Sequence, residues 1–187
     1  MTPLLKRALD QAAVWHRLQR RKYPGVDVPY VSHLAGVSIL LAKHGFDDEV
    51  IAAGALHDAI EDTGITAEEI ASLFGERVSK LVVAVTEADK TRSWEERKQA
   101  YLEQFSKNPW EAQAITIADK IDNFLSIVVC ASTHGDPWPM FRRGRDTQLA
   151  QFRALRERIA PLPHHSIIDA FEVAFQRVLA APAGDVK

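Results

Sequence analysis

The chain has 187 residues, 23 basic against 25 acidic side chains, 47% hydrophobic residues and one cysteine. That length fits one domain or two small ones, and the apolar content can offset chain entropy, which excludes disorder as the main state. Cys130 has no partner, so a disulfide scaffold is excluded and a reducing compartment is expected, while a net charge of −2 excludes the basic surface of a general nucleic-acid binder.

No apolar core of about 10 residues follows the start, as a secretory signal would require. The most apolar run, Leu125 to Ala131, falls far short of the roughly 20 residues that cross a bilayer. No membrane contact is expected, and the expected location is the cytoplasm. Thr2 before Pro3 predicts a helix start, continued by Leu5, Leu9, Ala12, Ala13 and Leu18 at helical spacing. Tyr23 to Tyr30 (YPGVDVPY) predicts a loop, because two prolines and a glycine break the pattern. A second helix is expected from Ser32 to Lys43 on Leu34, Val37, Leu40 and Leu41, with Gly45 at its C-terminal cap. Asp47 caps a third, which Val50, Ile51, Ala53 and Leu56 carry on to Asp62, where Thr63-Gly64 stops it. Thr66 and Glu69 form a capping box for a short helix ending at Gly75, and Ser93 and Glu96 form another. Between them Val78, Leu81, Val82 and Val85 mark a helix, although Val82 to Val85 could pass for a short buried strand. Asn108-Pro109 and Asp136-Pro137 repeat the cap-plus-proline start, and Ile167, Phe171, Phe175 and Val178 line the last helix. Alternation at period two is absent. The expected fold is therefore all-α, a single bundle of about eight to ten helices over residues 1–180, with a mobile tail at 181–187.

The most informative segment is His57 to Asp62, HDAIED, which follows the apolar IAAGAL. His57 and Glu61 are four apart, as are Asp58 and Asp62, so each pair stacks one helical turn apart. Three carboxylates and an imidazole crowd two turns with no lysine or arginine among them. A divalent cation would resolve that repulsion, since carboxylate and imidazole are its usual ligands. The plain alternative is the solvated side of a surface helix. His33, in PYVSHLAGV, and Asp119, in the apolar AITIADKIDNF, add weight to the metal reading. A lone histidine at a helix start is also a cap or a satisfied core residue. An aspartate among Ile115, Ala118 and Ile121 is costly to bury unless it binds a metal or pairs with a cation such as Lys120. Asn123 lies one turn further on the same face.

The order His33, then His57-Asp58, then Asp119 resembles the H…HD…D pattern of the HD-domain metal-dependent phosphohydrolases. HRLQRRK (His16 to Lys22), PYVSH, GALHDAIEDTGIT, FGERVSKLVVAVTE and ADKIDN resemble, in order, the hydrolase domain of the RelA/SpoT family, above all its small stand-alone Mesh1-type members. The resemblance covers roughly residues 8 to 130. It implies an HD-domain helical bundle that removes the 3′-pyrophosphate of guanosine tetra- or pentaphosphate (ppGpp, pppGpp), usually with manganese. Its partner would be a small-molecule guanine nucleotide. Position by position, it implies His33, His57, Asp58 and Asp119 as metal ligands and Glu61 and Asp62 as the acidic pair that handles the attacking water. It implies Arg21 and Lys22 against the base and phosphates, Asn123 near the sugar, and Lys90 at the mouth of the site.

The chain departs from that pattern in places. Leu34 stands where a proline usually follows the first metal histidine, and Leu125 where an arginine often stands two beyond the asparagine. Arg142, Arg143 and Arg145 either restore that charge or are surface charge. Two other functions remain: the same site acting on another phosphoester, such as a nucleoside monophosphate or the 2′-phosphate of NADPH, and a non-enzymatic nucleotide sensor. Retention of the full ligand set and of Glu61-Asp62 ranks the sensor last.

Overall fold

A computed structural model describes residues 1–87 and 91–181 of the protein. Ten α-helices and one 3₁₀ turn make up the regular structure of these residues, with no strand among them. α1 (Pro3–Trp15) starts where expected, the Thr2 hydroxyl accepting the Leu5 N–H at 3.4 Å. Leu5, Ala8 and Ala12 face the core, whereas Leu18 is 83% exposed because the helix has already ended at Trp15. The loop that follows folds back on itself: Arg20 and Pro29 form an isolated antiparallel bridge, and the Arg21 N–H donates to the Val28 carbonyl.

α2 (Val31–Lys43) and α3 (Asp48–Leu56) come next, α3 capped by the Asp47 carboxylate on the Glu49 and Val50 N–H groups. The third helix does not run unbroken to Asp62. It stops at Leu56, and α4 (Ala59–Thr63) begins after a two-residue break at His57 and Asp58. The Gly54 carbonyl, near the end of α3, is taken by the His57 ring at 2.8 Å. Gly64, with φ +76°, closes α4 in the left-handed region that glycine enters without strain. α5 (Ala67–Phe74) and α7 (Trp94–Lys107) each open on the complete capping box expected of Thr66/Glu69 and Ser93/Glu96. α6 (Glu76–Val85) carries Val82 to Val85 as helix, not strand.

α8 (Trp110–Thr133) departs from the cap-plus-proline expectation. Pro109 itself is the capping residue, and the Asn108 amide is drawn away to the Ala84 carbonyl at 2.7 Å. Pro137 likewise stands at the cap position of a short 3₁₀ turn (Trp138–Met140), while the Asp136 carboxylate just before it accepts the Trp138 N–H. α9 (Gly144–Ile159) and α10 (Ser166–Leu179) complete the bundle. No helix of the described residues is long and apolar enough to cross a membrane. Ala181 is buried in the core, and residues 182–187 lie outside the described residues.

The 24-residue α8 is the central member, in contact with α2, α3, α6, α7 and α10. Phe124, at its middle, is fully buried between Phe152 of α9 and Phe171 and Phe175 of α10, with ring centroids 4.7, 5.3 and 5.7 Å away. Phe124→Ala empties that junction and lowers stability by about 3–5 kcal/mol. Urea denaturation followed by far-UV circular dichroism measures the loss; a change below about 1 kcal/mol would mean that the aromatic neighbours collapse into the space.

Candidate metal centre

Three places in the chain deliver a cluster of polar groups at one cleft of about 560 Å³, which His57, Asp58 and Asp119 line. His33 stands in the first turn of α2, His57 and Asp58 occupy the break between α3 and α4, and Asp119 projects from α8. Sequence separation vanishes in the fold. His33 Nε2 lies 3.7 Å from Asp58 Oδ2 and 3.3 Å from Asp119 Oδ1. His57 Nε2 lies 3.1 and 3.9 Å from the same two oxygens. Ligands held about 2.0–2.2 Å from a common centre stand about 3 Å apart at right angles and just over 4 Å apart when opposite. The observed separations fall in that window. His33, His57 and Asp58 also offer donor atoms that all lie within 4.8 Å of one another.

Each ring is aimed. The His57 Nδ1–H donates to the Gly54 carbonyl, which turns Nε2 toward the carboxylates; that buried nitrogen has no hydrogen-bond partner among the described residues. The His33 Nδ1–H donates to Asp122 Oδ2 at 2.6 Å, leaving Nε2 to face Asp58 and Asp119. A ring fixed through one nitrogen presents the other as a ligand, as metal-binding histidines do. Asp58 accepts the Tyr30 hydroxyl at 2.6 Å. Asp119 divides its oxygens: Oδ2 takes the Lys120 ammonium, while Oδ1 faces the rings and accepts the Asn123 amide. The lysine pairing and the site-facing role of Asp119 thus coexist.

The electrostatics call for positive charge. Burial opposes the charged form of His57, but the Asp58 and Asp119 carboxylates outweigh it and push the ring up to about 9. His33 is likewise buried, yet Asp119 and Asp122 raise it. Burial alone would raise Asp58 and Asp119, but the imidazoles, and for Asp119 first of all Lys120, hold both carboxyls well below their usual range. A divalent cation supplies the same charge at one point and lets both rings serve as neutral ligands. The buried Nε2 of His57 and the two-imidazole, two-carboxylate donor set fit such an ion.

The remaining residues implied by the resemblance sit around this cluster. Glu61 and Asp62 line the cleft on α4, and Asp62 accepts the Gln19 amide at 2.8 Å. Lys22 lines the cleft and is exposed. The Arg21 side chain, 10% exposed, donates to Asn123 Oδ1 and Ser126 Oγ at 3.1 and 2.8 Å and lies over the Tyr30 ring. Asn123 thereby links Arg21 to Asp119. Lys90 lies outside the described residues. The arginine run does not enter the cleft. Arg143 covers Trp94 and pairs with Glu95, and Arg145 covers Trp138 beside Asp146.

Sequence reasoning missed Tyr30, Asp122 and Gly36. Asp122 could have been found as a second acid three residues after Asp119 on one apolar helix. Gly36 has no signal of its own, yet a Cβ there would stand 2.1 Å from Asp122 Oδ1, so only glycine lets α2 approach the aspartate that holds His33. Gly36→Ala displaces Asp122 and weakens metal binding about 10- to 100-fold. Titration with manganese, followed by the paramagnetic resonance of the free ion, reads the loss; unchanged affinity would separate Asp122 from the site.

Residues 8–134 match the HD domain family. The chain is 39% identical over 137 residues to the guanosine-3′,5′-bis(diphosphate) 3′-pyrophosphohydrolase MESH1 of Drosophila melanogaster, covering 72% of this chain and 74% of that one. Against MESH1 of Homo sapiens it is 41% identical over 128 residues, covering 67% and 70%. A solved structure of a protein described as a metazoan ortholog of SpoT that hydrolyzes ppGpp superposes with a TM-score of 0.81 at 30% identity, over 95% of this chain and 96% of that one.

Proposed function

The chain belongs to the HD-domain family, among the guanosine-3′,5′-bis(diphosphate) 3′-pyrophosphohydrolases of Mesh1 type, and from that premise we propose that it hydrolyses ppGpp and pppGpp with manganese in the cytoplasm. The observation that carries the reading is the approach of the His33 and His57 Nε2 atoms to the Asp58 and Asp119 carboxylates, at 3.1 to 3.9 Å, beside Glu61 and Asp62. The four would hold a divalent cation, manganese in this reading. An ion held there would supply positive charge that acidifies water and polarises phosphoryl oxygens.

The chain's own residues supply the rest. Water adds to the phosphorus next to O3′, that P–O bond breaks, and pyrophosphate leaves while O3′ takes a proton. Glu61 or Asp62 accepts the proton that the water loses. Gln19 anchors Asp62, which limits how far that carboxylate swings. Lys22 offers a point charge for phosphate at the cleft rim. Arg21 orients Asn123, which in turn steadies Asp119. In phosphoryl transfer such alignment and charge neutralisation are most of the catalysis.

Incubation of the manganese-loaded protein with ppGpp, with products separated by anion exchange, tests the reading. Equimolar GDP and pyrophosphate are expected. NADPH and nucleoside monophosphates run in parallel probe the second substrate class, favoured by Leu125, which packs against the core where a cation would otherwise stand. Orthophosphate from those substrates, with ppGpp left intact, would overturn the alarmone assignment.

A further inference from the structure

Gln148 and Gln151 stand three residues apart on α9 and so share a helix face. Both line the cleft and both are half-buried. Gln19, Gln104 and Gln113 engage their amides within the chain, on His16 and Asp62 and on the Ala84 and Phe105 carbonyls. Gln148 and Gln151 have no hydrogen-bond partner among the described residues. Ahead of α9, Met140 and Phe141 bring apolar surface to the same cleft, half-buried against the core. Two amides and a flat apolar ring suit a planar heterocycle with donors and acceptors along its edge; a phosphate would require cations. Arg21, which the resemblance implies for the base, lines the same cleft and is steadied by Asn123 and Ser126, which leaves the edge of a base to other groups.

We propose that Gln148 and Gln151, with Phe141, bind the purine base of the substrate. Guanine offers N1–H and N2–H donors beside the O6 acceptor, a set that two carboxamides satisfy together. The inference rests on the nucleotide reading above and deepens it. This wall lies beyond residue 134, outside the HD-domain match, so the proposed base contacts come from the C-terminal part of the chain.

Gln148→Met and Gln151→Met, singly and together, keep side-chain length and remove the amides. Calorimetric titration of the manganese-loaded protein compares GDP with ribose 5-phosphate, which lacks the base. The wild type binds GDP more tightly. In the double variant GDP affinity falls about 10- to 30-fold, while ribose 5-phosphate affinity and manganese stoichiometry hold. Equal affinity of the wild type for the two ligands, unchanged GDP affinity in the variant, or parallel loss of both ligands each overturns the proposal. If the double variant fails to fold, the single variants carry the same comparison with smaller shifts. Because the readout is binding, a protein that holds GDP through these amides yet leaves ppGpp intact would refute the proposed activity and keep the base site.

Discussion

Asp58→Ala removes both the bound metal and the turnover. Asp58 Oδ2 faces His57 Nε2 at 3.1 Å and His33 Nε2 at 3.7 Å, so the substitution deletes a donor and the counter-charge of two buried rings together. A cation at such a site contributes several kcal/mol of charge stabilisation, so kcat/KM falls by about 10³-fold or more. The change also strips the half-buried Tyr30 hydroxyl of its acceptor, which costs about 1–3 kcal/mol of stability. Asp58→Asn separates the two effects. Its carboxamide oxygen still accepts from Tyr30, so the fold holds while the charge is gone. Metal content by mass spectrometry, paired with turnover, decides the matter: full metal occupancy and intact rate in Asp58→Ala would remove Asp58 from the ligand set.

Glu61→Gln is expected to keep the metal and lose the rate. Glu61 lines the cleft from α4, four residues beyond His57, and is not among the converging donors. An amide of the same shape cannot accept the proton of the attacking water. Loss of a general base costs about 10²- to 10⁴-fold in kcat, with KM and manganese affinity little changed. Asp62→Asn offers the contrast. Its carboxylate is anchored to Gln19, so a larger loss there than at Glu61 would shift the base to Asp62. Unchanged kcat in Glu61→Gln would sink its role outright.

Helix starts were legible wherever one side chain and its own backbone settle the matter. Thr2, Asp47, Thr66 and Ser93 cap as their local sequence predicts. The failures share a different physics. Asn108 looks like a cap, but a carbonyl 24 residues away outbids the neighbouring backbone for its amide. The helical pattern through His57 hides a break, because the ring's bond to Gly54 is invisible to apolar spacing. The candidate donors of the HD motif could be read from charge crowding, yet the aim of His33 depends on Asp122, 89 residues away, and on the space left by Gly36. The α9 wall of the cleft was illegible for a related reason: Gln148 and Gln151 resemble any polar helix face until α9 is docked against the rest of the molecule.

Asp119, Asp122, Asn123 and Ser126 all ride on α8, the same helix whose opposite residues hold Phe124 and Ile127 in the core. Slowly exchanging amides should therefore mark the floor of the cleft, since α8 has no way to fray locally without opening the hydrophobic interior. Heating would then leave the cleft intact until the whole molecule melts, and metal release would coincide with the calorimetric transition instead of preceding it.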